Sequence, residues 1–120
     1  VPDLSAARLS VEFVGPFDAA GRGLQVGYVG TRSCHVSLLI FPAAPGLGEE
    51  QQEYRKGGAS LFAWRAGRLG YVLAAIGMDE SHLTLIARTV QQAIQQRQPL
   101  DAEARTALRH SRNVSRPCAA

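Results

Sequence analysis

Residues 59–94, ASLFAWRAGRLGYVLAAIGMDESHLTLIARTVQQAI, contain two periods in succession. Over 59–66 and 69–76 the apolar positions recur every second residue. Leu69, Tyr71, Leu73 and Ala75 stand against Gly70, Val72, Ala74 and Ile76, which predicts two strands. The dipeptide Gly67-Arg68 between them is a two-residue connection of the Gly-X kind, suited to a type II′ hairpin. Trp64 and Tyr71 then fall on the two arms of that hairpin. They read either as a cross-strand structural pair or as a ligand platform.

After Met78 the period changes. Asp79 is a good helix N-cap and Glu80 places negative charge in the first turn. Leu83, Ile86, Ala87, Val90 and Ile94 follow at helical spacing, with Arg88, Gln91, Gln92, Gln95 and Gln96 on the other side. Pro99 predicts the stop. A second, shorter helix is expected over 101–110, with Ala104, Ala107 and Leu108 as a weak apolar face. Residues 113–120 read as an irregular tail.

Upstream, three more strands are expected. Leu9, Val11 and Phe13 alternate over 8–15, and Leu24, Val26 and Tyr28 over 24–29. Residues 34–41 are apolar on both faces apart from His35 and Ser37, which suits a central strand. Turns are expected at Gly21-Arg22-Gly23 and across 30–33. Residues 42–58, with Pro42, Pro45, four glycines and a polar Glu49-to-Glu53 run, read as one long mobile loop. Residues 1–7 read as a tether, and 8–120 as a single domain. Strands followed by helices predict an α+β fold. The expected form is an antiparallel meander of about five strands, with the long helix packed on one face and a second short helix beside it.

The whole chain is consistent with one domain. It has 120 residues, 46% of them hydrophobic, with 13 basic and 10 acidic side chains for a net charge of +3. That is too apolar for a disordered tail, and no apolar run approaches the ~20 residues that span a bilayer. Lys56 is the only lysine, and the arginines are scattered rather than gathered into a stripe, so nucleic-acid binding is not expected. His35, His82 and His110 lack metal-ligand spacing, and adjacent Cys34 and His35 point to opposite faces of a strand. No nucleophile elbow or phosphate loop is present. The expectation is therefore no enzyme activity, no metal and no cofactor. Cys34 and Cys118, outside any Cys-x-x-Cys pair, are either bonded to each other or two unrelated buried thiols.

Four segments taken together carry a resemblance. They are Gly27-Tyr28-Val29-Gly30 followed by Cys34 and Leu38; the hairpin with Trp64 and Tyr71; Ala75-Ile76-Gly77-Met78-Asp79 leading into Leu83 and Ile86-Ala87; and the closing Arg116-Pro117-Cys118-Ala119-Ala120. In this order, over about residues 8–120, they resemble the C-terminal extracytoplasmic part of transmembrane anti-sigma factors of proteobacteria. The resemblance implies a periplasmic regulatory domain on the outer side of a bacterial inner membrane. It implies a membrane segment upstream of Val1 and a sigma factor held by a cytoplasmic domain further upstream. An envelope protease or sensor protein is the implied partner on the periplasmic side. It also favours a Cys34–Cys118 disulfide, since the periplasm is oxidising. The other expectation is a free-standing periplasmic protein that binds a small ligand or serves as an accessory factor.

Overall fold

The computed structural model describes residues 2–16, 23–30, 34–43, 46–96 and 101–118. Six strands form one sheet: β1 (Leu9–Pro16), β2 (Leu24–Gly30), β3 (His35–Pro42), β4 (Gln52–Lys56), β5 (Ala59–Ala66) and β6 (Leu69–Ile76). Two helices follow, α1 (Glu80–Gln96) and α2 (Ala102–Val114). The strand order is β1-β2-β3-β6-β5-β4, and every pair is antiparallel. The fold is thus α+β, with six strands where the sequence predicts about five. Two three-stranded meanders meet at β3 and β6, the second entering from the far edge and working inward.

The additional strand is β4, which lies inside the stretch expected to be loop. All five of its residues are exposed, because it is an edge strand with a partner on one side only. Gly57 and Gly58 both take positive φ, 59° and 82°, and turn β4 directly into β5. At the next hairpin Gly67 has φ 63° and Arg68 does not turn positive, as a type II′ connection requires. The described residues just ahead of β4 are tied down. Gln51 Nε2 donates to the Ala87 carbonyl at 2.7 Å, and Gln91 Nε2 donates to the Glu49 carbonyl at 2.9 Å. These two bonds fasten the crossing to α1.

One face of the sheet is the core face. Val26, Leu38, Leu73 and Trp64 on the strands, and Ile86 and Val90 on α1, are all closed to solvent in one cluster. The helical stripe and the hairpin therefore cover each other, as the two periodicities imply. α1 also packs on α2, and α2 on a short 3-10 turn at Ser5–Ala7. That turn corrects the tether expectation, since Leu4, Ala6 and Ala7 are core residues. Helix α2 extends to Val114, so the tail begins later than expected. Its Asp101 accepts a bond from Ala104 N at 2.8 Å, an N-cap, and of its three expected apolar residues only Leu108 is buried. The turns expected at Gly21-Arg22 and 31–33, Pro45 and the stop at Pro99 lie outside the described residues.

Candidate functional site

The chain enters and leaves the fold at the same end of the sheet. There β1 begins, β2 ends, β3 begins and β6 gives way to α1. Cys34 and Cys118 form a disulfide, with S–S 2.00 Å and Cα–Cα 5.1 Å across a separation of 84 positions. Cys118 is buried. The bridge itself draws Cys118 into the core cluster.

A second fastening lies beside it. Asp79 does two things at once. One carboxylate oxygen accepts from Ser81 N at 3.1 Å, the capping bond the sequence predicts. The other accepts from Arg116 N at 3.3 Å, and the Arg116 guanidinium lies 3.7 Å away. The Arg116 amide, with help from the amides of Ser81 and His82, holds the Asp79 carboxyl below the usual carboxylate range. The capping role was legible in the sequence. The tail contact was not, because its partner stands 37 positions further on.

Between these two fastenings is a small cleft lined by Arg8, Met78, His82, Arg112, Arg116 and the disulfide. His82 is buried, and its Nδ1 lies 2.7 Å from Ser111 Oγ, joining α1 to α2. Arg8 takes the left-handed backbone conformation, φ 56°, as the residue that ends the Ser5–Ala7 turn. A non-glycine residue held there carries strain of ~1–2 kcal/mol. Around the corner Arg55 of β4 bonds Glu53 at 2.9 Å and also pairs with Glu80 at the start of α1. The histidines do not converge. His35 faces the other side of the sheet, 3.9 Å from Glu12, and His110 is exposed. Among the described residues no group of three or more His, Cys, Asp and Glu side chains is placed to hold a metal ion.

Trp64 and Tyr71 are direct cross-strand partners, stacked with centroids 5.5 Å apart and planes at 14°. Both rings are buried in the core cluster. Trp64 Nε1 has no hydrogen-bond partner among the described residues.

The bridge fits an oxidising, extracytoplasmic setting. No helix among the described residues is long and apolar enough to cross a membrane. No model of a protein family, no curated protein and no solved structure matches this chain.

Proposed function

We propose that this chain is the extracytoplasmic regulatory domain of a membrane-anchored anti-sigma factor, a role its sequence resembles. In this reading the domain keeps a sigma factor restrained through a cytoplasmic part upstream, and an envelope signal acting on the domain releases it. The observation that supports this best is the double fastening at the sheet end. The Cys34–Cys118 bridge and the Asp79–Arg116 contact hold the tail against Ala7, Arg8 and Leu9, where the chain enters. A change at either fastening is passed straight to the segment that would lead to the membrane. Coupling of this kind needs a signal that discriminates between the fastened and released tail.

The test is made in the full-length protein in its own bacterium. Cys118→Ser is expected to raise transcription from promoters of the cognate sigma factor without any envelope stress. Unchanged transcription with the variant present at normal levels overturns the reading. The second reading, a free-standing periplasmic binding protein, is favoured by the arginine-lined cleft. A cleaved signal peptide in the full reading frame, in place of a membrane helix and a cytoplasmic domain, decides for it.

A further inference from the structure

The sheet has a second face, and among the described residues no helix lies on it. Across the six strands the register sets Phe13, Gly27, Ser37, Ala74, Leu61 and Tyr54 in one row on that face. The next row carries half-buried Leu39 and Val72 and buried Ala63 at its centre. An antiparallel sheet with a solvated face ordinarily alternates apolar inward with polar outward. Here the outward centre carries no charged residue. Ile76, Tyr54 and Phe13 on it are 68%, 56% and 46% exposed. Leu47 from the crossing lies with Phe41 over Gly70 on this face. The charges sit at the margins, with exposed Arg65 at the far end of β5. Glu12, extruded at the bulge between Val11 and Phe13, reaches His35 on the β1 side. Lys56 ends the β4 side.

We propose that two copies of this chain pack through this face, sheet on sheet. The area is of the right order. The strands, five to eight residues long at about 3.3 Å per residue and about 4.8 Å apart, give a face of about 700 Å². A stable interface buries about 800 Å² on each partner. The charges also match. A two-fold axis parallel to the strands lays β1 of one copy over β4 of the other, level for level. Phe13 then meets the partner's Tyr54, since both stand in one row. Glu12 at the low corner meets the partner's Lys56. A two-fold interface repeats each of these contacts. The proposal does not depend on the anti-sigma reading and applies equally to a free-standing protein.

Analytical ultracentrifugation of the chain at near-physiological salt tests it. A dimer is expected, and Ala74→Arg, at the centre of the face, is expected to make it monomeric with unchanged far-UV circular dichroism. Glu12→Lys alone and Lys56→Glu alone are each expected to weaken the dimer about tenfold, because each contact occurs twice. The double charge exchange is expected to restore it. A monomer at about 100 µM overturns the proposal. So does a dimer that ignores Ala74→Arg, or a double exchange as weak as the single ones.

Discussion

The two faces of the sheet are built from nearly the same residue types, yet only one of them is a core. On the helix side, Leu38 and Leu73 stand opposite each other and are closed to solvent under α1. On the other side, Leu39 and Val72 stand opposite each other one residue along and are only half-buried, with no helix over them among the described elements. The difference teaches that hydrophobic pattern alone does not fix which face folds the monomer. Both β3 and β6 are apolar at every position over 38–41 and 71–76, so neither strand discriminates between its faces there. The helix chooses, and it chooses through the aromatic pair and the tail that is stapled beside it.

Substitutions on the two sides should therefore differ in scale. The largest effect is expected at the staple. Reduction, or Cys118→Ser, removes a link across 84 positions, and chain entropy assigns such a link about 4–5 kcal/mol. Denaturant titration with and without reductant measures it, and coincident curves would show that the tail holds without the bridge. Next is Ile86→Ala, beneath the helix and closed to solvent, with an expected loss of about 2–5 kcal/mol. A loss under ~0.5 kcal/mol would mean that α1 is not what closes the core face.

A smaller effect depends on pH. Tyr28 is buried on the helix side, and its hydroxyl donates to the Pro2 carbonyl at 2.8 Å. Burial, with the nearby Asp3 carboxylate, pushes its pKa from 10.0 up to about 12. The folded chain keeps a proton there that the unfolded chain releases. The contribution is complete below pH 10 and is lost as pH rises towards about 12. Tyr28→Phe is expected to flatten that part of the stability profile, and an unchanged slope would remove Tyr28 as its source. The smallest effect is expected on the open face. Val72→Thr, studied dilute enough for the chain to be monomeric, is expected to shift stability by less than about 1 kcal/mol. A loss as large as that of Ile86→Ala would show that the second face is folded against something too.

Much of the fold could be read from residues 59–94, because there each local signal agrees with its neighbours. The alternation, the Gly67 turn and the Asp79 cap all name the same boundaries. Strand β4 was illegible for a physical reason. Gln52, Glu53, Arg55 and Lys56 face solvent on an edge, so burial imposes no apolar alternation on them. Its one signal was Gly57-Gly58, a tight-turn dipeptide directly before the strand expected over 59–66. Leu4 and Ala6 were illegible because three residues of 3-10 turn are too few to show a period. At the site, the cysteine pair and the Asp79 cap could be named in advance. The Asp79–Arg116 and His82–Ser111 contacts could not, since each joins segments brought together only by tertiary packing.

The Cys34–Cys118 bond makes most of the chain a closed ring. A protease that severs the backbone once anywhere inside that ring, at the 43–51 crossing for example, sheds nothing. The two new ends belong to pieces still joined through sulfur. Cleavage that detaches this body from whatever precedes it must fall ahead of Cys34, or must be accompanied by a thiol reductant. Of the described residues ahead of Cys34, Leu4, Ala6 and Ala7 are core and 9–16 and 24–30 are paired in the sheet. Scission at those residues has to wait for local unfolding.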